Sequence, residues 1–148
     1  MIEIDYNSNI KNKYSAQDLQ EIAQLVSKQE KKVAGLVEIN IIGDKEMTEL
    51  NFQHRGKKYP TDVLSFAWAE DKKIKSNFLG QIFICFPQIK RQAKECKIEE
   101  YEELARMLIH GLLHLVGHDH IKKIPAKRMF KIQEGIINQL GYVSQKFV

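Results

Sequence analysis

Apolar positions recur along this 148-residue chain at two spacings, and the switches between them divide it into elements. Met1-Ile2-Glu3-Ile4-Asp5 alternates apolar with acidic residues, the pattern of a half-buried strand. Ser15-Ala16-Gln17-Asp18 has the form of a capping box. Leu19, Ile22, Ala23 and Val26 follow at helical spacing, which predicts a helix to about Lys31. The β-branched run Val37 to Ile42 reads as a second strand, which Gly43-Asp44 stops while capping a helix that carries Met47 and Leu50. Pro60-Thr61-Asp62 signals a turn before a third strand, Val63 to Trp68, and Leu79 to Cys85 is a fourth. Pro87 suits the first turn of a helix passing through Ile89 and Ala93 to about Cys96. Glu99, Glu100, Glu102 and Glu103 crowd the start of the next helix, where carboxylates favour the positive end of the dipole. It should run to about Val116, with Gly117 as its stop. A last helix carries Met129, Ile132, Ile136, Ile137 and Leu140 and closes at Gly141. The expected architecture is an α+β fold of about four strands and five helices. With no repeat, linker or low-complexity segment, residues 1–148 read as a single domain.

Composition narrows the class. Apolar residues make up 43% and charged ones 28%, and a chain of this size typically buries roughly 68–70% of its unfolded surface, so disorder is excluded as the main state. Cys85 and Cys96 have no spacing that makes a metal knuckle or a redox motif. No apolar run approaches the roughly 18 residues of a membrane span, and the N-terminus lacks the basic start of a signal peptide. The expectation is a cytoplasmic protein with no membrane partner.

Four of the five histidines fall within His110-Gly111-Leu112-Leu113-His114-Leu115-Val116-Gly117-His118-Asp119-His120. Residues four apart on a helix share a face, so His110 and His114 can offer two nitrogens to one ion. A third histidine continuing the same helical steps would lie about 12 Å from the first at 1.5 Å rise per residue, whereas zinc–nitrogen bonds are only about 2.0–2.1 Å long. The chain therefore has to bend, and Gly117 permits it. Beyond the bend His118 or His120 can complete the site, and spacing leaves the choice open. Three imidazoles leave a fourth position for water, the arrangement of a catalytic rather than a structural zinc. The helical zinc proteases carry Glu directly after the first histidine as general base; here that residue is Gly111. Phosphodiester cleavage fits better, because its main need is to neutralise charge at phosphorus, and cations do that. Arg55, followed by Lys57 and Lys58, supplies a guanidinium able to give a phosphate two parallel hydrogen bonds.

With the histidine block, Asn51…Arg55…Pro60-Thr61-Asp62-Val63-Leu64-Ser65-Phe66 upstream and Leu79-Gly80…Ile82…Ile84-Cys85 between them, the chain resembles the YbeY family of bacterial ribosomal RNA maturation endoribonucleases. The order and spacing agree over about residues 37 to 120. The resemblance implies a small mixed four-stranded sheet with helices packed around a zinc cleft. It also implies a metal-dependent, single-strand-directed endoribonuclease acting in maturation of the 16S ribosomal RNA 3′ end and in ribosome quality control. It assigns the ligands of one Zn2+ per chain to His110, His114 and His120, and the functional arginine to Arg55. The implied partners are ribosomal RNA and the small ribosomal subunit, with a small-subunit ribosomal protein and an assembly GTPase. Two positions depart from the pattern: His118 stands where the family more often has Tyr, and Gln81 where it usually has Asp. His118 is thereby a candidate for proton transfer, and Asp119 for a hydrogen bond to a ligand imidazole. The rival readings are a zinc peptidase and a noncatalytic assembly factor stabilised by metal.

Lesser candidates complete the reading. Asp62 reads first as the cap of its turn and second as an acid near the metal. Phe66 and Trp68 read as core before they read as base-stacking rings. Lys90, Arg91 and Lys94 recur at helical spacing and offer a basic face to a phosphate backbone. The charge of +4 is unevenly spread: residues 1–120 carry 17 basic and 18 acidic side chains, and residues 121–148 carry 6 and 1. Lys122, Lys123, Lys127 and Arg128 follow the metal motif directly and would flank the cleft if the last helix packs beside it.

Overall fold

The computed structural model describes residues 1–68, 77–117 and 125–145. Among them are four strands, β1 (Ile2–Ser8), β2 (Gly35–Ile42), β3 (Val63–Ala67) and β4 (Phe78–Cys85). The helices are α1 (Ala16–Gln29), α2 (Asp44–Arg55), α3 (Phe86–Cys96), α4 (Glu100–Gly117) and α5 (Ala126–Gln139). The sheet order is β1-β2-β4-β3; β1, β2 and β4 run parallel, and β3 is antiparallel to β4. This is the α+β fold of four strands and five helices that the periodicities predict, with the mixed sheet that the family resemblance implies.

Local chemistry accounts for most element ends. Ser15 Oγ accepts the Asp18 N–H at 3.2 Å and the Asp18 carboxylate accepts the Ser15 N–H at 2.8 Å, the reciprocal capping box that opens α1. α1 stops at Gln29, short of the expected Lys31, and β1 runs past Asp5 because parallel pairing with β2 continues to Ser8 opposite Ile41. Asp44 does not cap α2. Gly43 is the capping residue and makes no side-chain bond, while the Asp44 carboxylate receives Arg91 at 2.7 and 2.9 Å and the Cys85 thiol at 3.2 Å. The hydrogen bonds from Arg91 hold that carboxyl below its ordinary value, and burial pushes the Cys85 thiol up to about 12.

Alternation along the strands sorts side chains to two faces. Val37, Ile39, Ile41, Ile82 and Ile84 pack in one core with α1, α4 and α5. On the other face Ile42, Leu64 and Cys85 pack with Met47 of α2, and Phe66 and Phe83 close this smaller cluster. α4 is the central helix: Leu104, Leu108, Ile109, Leu112 and Leu113 are all buried in the larger core. No helix among the described residues is long and apolar enough to cross a membrane.

α4 is joined to α5 by a buried ionic network. Arg106, 3% exposed, donates to Glu102 at 2.7 Å and to both oxygens of Glu134 at 2.9 Å. Gln133 and the Gln145 backbone N–H add further bonds to Glu134, at 3.0 and 2.8 Å. Burial pushes the Glu134 carboxyl up, but the bonds from Arg106, Gln145 and Gln133 outweigh it and hold the group below its ordinary value. Arg106→Ala strands two buried carboxylates and should cost about 3–5 kcal/mol in denaturant unfolding. A depressed carboxyl stabilises the fold fully above its unfolded pKa of about 4.3 and loses that contribution as pH falls through the lower folded value. Circular dichroism against pH should therefore show a loss of stability below about pH 4 that Glu134→Gln partly flattens.

Candidate functional site

α4 presents His110 and His114 one turn apart, both half-buried, with ring centres 4.3 Å apart and planes at 67°. They border a cleft of about 490 Å3 whose other walls include Arg55, Thr61, Asp62 and Ser65. The helix can sit this close to the sheet because residue 111 has no side chain. A Cβ there would stand 3.1 Å from Ser65 Oγ, 3.2 Å from Ile82 Cγ2 and 3.3 Å from Val63 Cγ2. Ser65 Oγ also donates to the Gly111 carbonyl at 3.0 Å, pinning the helix to β3. The face next to the histidine pair is thus closed by β3 and β4, leaving no room for the glutamate that helical zinc proteases place there.

Arg55 ends α2. Gly56 caps the helix in the left-handed region, φ 71°, where glycine meets no steric penalty. Asn51, fully buried, donates Nδ2 to the Tyr59 carbonyl at 2.8 Å and folds the following loop back onto the last turn. The chain has four arginines, Arg55, Arg91, Arg106 and Arg128. Three are committed: Arg91 to Asp44, Arg106 to Glu102 and Glu134, and Arg128 to Glu30 at 3.6 Å. Arg55 is exposed and has no carboxylate partner among the described residues.

Asp62 fills the first of its expected parts, its carboxylate accepting the Val63 N–H at 2.7 Å and fixing the turn, and it lies in the wall of the cleft. Its carbonyl takes the Cys85 N–H at 2.9 Å, tying the turn to the end of β4. Lys57 and Lys58 are exposed beside Arg55. Lys90 lies elsewhere, its Nζ 5.4 Å from the Phe86 ring centre and bordering a separate depression with Lys11 and Lys13. Lys94 and Lys127 are exposed. Two of the basic candidates have carboxylate partners: Arg91 pairs with Asp44 at 2.7 Å, and Arg128 lies 3.6 Å from Glu30 at the end of α1. Gln81 donates to Glu38 at 2.6 Å, on the sheet face away from α4. Of the aromatic strand residues, Phe66 is packed against Phe83 while Trp68 is 57% exposed. His118, Asp119, His120, Lys122 and Lys123 lie outside the described residues. Within those described, no three His, Cys, Asp or Glu side chains gather as a metal site; His110 and His114 supply two imidazole nitrogens of a set suited to zinc. Ser65 and Asn51 entered the sequence reading only as members of the motif, with no role of their own. A polar residue at an inward position of β3, between Val63 and Ala67, was the signal for Ser65.

The family model for endoribonuclease YbeY matches residues 2–141. The chain belongs to that family. Its relatives include the endoribonuclease YbeY of Ureaplasma urealyticum serovar 10, 40% identical over 104 residues, and that of Thermodesulfovibrio yellowstonii, 39% identical over 106. These alignments cover 70% and 71% of this chain and 66% and 67% of the relatives, so the matched region spans about two thirds of their length. The endoribonuclease YbeY of Halalkalibacterium halodurans is 34% identical over 134 residues, covering 83% of this chain and 84% of that protein. A solution structure from Thermotoga maritima superposes with a TM-score of 0.63 at 27% identity, over 93% of this chain and 89% of that one.

The closed face at Gly111 yields a direct test in this YbeY family member. Gly111→Ala should stay within about 1 kcal/mol of wild type in thermal unfolding, since the helix-propensity gain of roughly 1 kcal/mol offsets the crowding. Gly111→Glu drives an unpaired charge against β3 and β4 and should lose about 3 kcal/mol or more.

Proposed function

We propose that this chain is a single-domain, zinc-dependent endoribonuclease that cleaves single-stranded segments of small-subunit ribosomal RNA in the cytoplasm, including maturation of the 16S 3′ end and ribosome quality control. Membership of the endoribonuclease YbeY family supports RNA as the substrate class and phosphodiester cleavage as the reaction. The observation that carries the assignment to this cleft is Arg55, which lines it together with His110 and His114 and is not neutralised by any described carboxylate.

His110 and His114 would hold one Zn2+ together with His120, with His118 and Asp119 as neighbours able to take part in proton transfer or orient a ligand ring. When bound, the ion supplies Lewis-acid stabilisation of charge developing on phosphate oxygens and lowers the pKa of water. Arg55 donates two parallel hydrogen bonds to the scissile phosphate and stabilises the charge that builds on it. Lys57 and Lys58 bind adjoining phosphates as point charges, and Lys90, Lys94, Lys122, Lys123 and Lys127 extend the basic surface. The Ser65 bond to the Gly111 carbonyl holds the histidine-bearing turn still. The partners in this reading are the small ribosomal subunit, one of its proteins and an assembly GTPase.

His114→Ala should lose bound metal by elemental analysis and lose cleavage of a ribosomal RNA precursor. Arg55→Ala should keep its metal and its fold yet cut about 10²- to 10³-fold more slowly, the usual effect of removing one transition-state donor. Undiminished cleavage by both variants sinks the assignment, as does metal-dependent cleavage of casein without any action on RNA.

A further inference from the structure

Two large aromatic rings lie open to solvent beside Arg55. Phe52, one turn earlier on α2, is 51% exposed, and Tyr59, on the loop that follows, is 56% exposed. Both rings belong to the same short segment as Arg55, and it is Arg55 that lines the cleft. The backbone beneath them is fastened: Asn51 Nδ2 holds the Tyr59 carbonyl at 2.8 Å, and Gly56 turns the loop back over the last turn of α2. Lys58 Nζ lies 5.3 Å from the centre of the Phe52 ring, so a cation and a ring face are presented together. Arg55, Lys57 and Lys58 thus stand between Phe52 and Tyr59 in one short segment. Rings interleaved with cations grip single-stranded nucleic acid, the rings stacking on bases and the cations tracking phosphates. An apolar protein partner would leave those three charges unpaired, and a duplex keeps its base faces stacked away from the rings.

Resting on the RNA-cleaving reading above, we propose that Phe52 and Tyr59 form a stacking platform for unpaired bases adjoining the scissile phosphate. Arg55 then receives its phosphate from strands whose bases can be splayed onto that platform. The discrimination lies in the rings, and the charge alone would bind either form.

Phe52→Leu and Tyr59→Leu, singly and together, remove the rings and keep apolar bulk at exposed positions; thermal melting checks that the fold is retained. Binding and cleavage are measured on a short single-stranded oligoribonucleotide, intact and with an abasic residue placed at each position in turn. Each variant should bind the intact strand about 5- to 100-fold more weakly, the usual worth of one base–ring stack. The deficit should shrink when the stacked base is already missing, and the preference for single strand over duplex should fall. Unchanged affinity, or an equal deficit on intact and abasic strands, overturns the platform while the enzyme assignment stands. Wild-type protein that neither binds nor cleaves the strand overturns both.

Discussion

The approach of α4 to the sheet at Gly111 governs the geometry of the whole site. The helix is anchored along its length by Leu104, Leu108, Ile109, Leu112 and Leu113, whose helical spacing turns one face to the core. The fit is tightest where backbone meets β3, with three side-chain atoms within about 3.3 Å of the missing Cβ and the Ser65 hydroxyl on the carbonyl. With residue 111 turned to the sheet, residues 110 and 114, only about 40° apart on a helix of 3.6 residues per turn, must both face the edge of β3. That edge is where the turn at Asp62 and the end of α2 open the cleft. A bulkier residue would lift the helix and carry both rings away from Arg55.

The same contact decides which chemistry the cleft can host. In helical zinc proteases the residue after the first histidine delivers a carboxylate, and here it delivers only backbone to the sheet. The residue that α2 contributes to the cleft is instead an arginine. A carboxylate there would repel a phosphodiester, whereas an arginine with no carboxylate partner among the described residues would attract it, as the proposed reaction requires. Formal charge hides this distinction. Arg91, Arg106 and Arg128 count as fully as Arg55 toward the +4 of the chain, yet each is answered by a carboxylate. What matters for an anionic substrate is the charge left over after internal pairing.

Features generated by near neighbours in the chain were legible before any fold was known. The alternation of β2, the capping box at Ser15 and Asp18, and the i, i+4 pair His110 and His114 each depend on residues within one element. Arg55 was legible only through its place in a motif, because a basic loop by itself is usually solvated. The bonds of Arg91 to Asp44, Arg106 to Glu134 and Asn51 to Tyr59 were hidden, since nothing local distinguishes those side chains from solvent-facing ones. The Arg128–Glu30 pair was hidden for the same reason, its partners standing nearly a hundred positions apart.

The position of Arg55 follows from how α2 is held at both ends. At its start, Asp44 binds Arg91 of α3 and the Cys85 thiol of β4; at its end, Asn51 and Gly56 tie the helix to its own loop. The Arg91 pair is about half exposed, so solvent screens it and it contributes little to overall stability. Its value is directional: two parallel bonds and a thiol contact specify where the helix begins, as an apolar contact with Met47 alone would not. These bonds set where α2 begins and how the loop leaves its last turn, the turn that carries Arg55. In the proposed reaction, preorganisation of that kind, more than the number of cations nearby, would let a single arginine act on charge that appears only as the phosphodiester bond breaks.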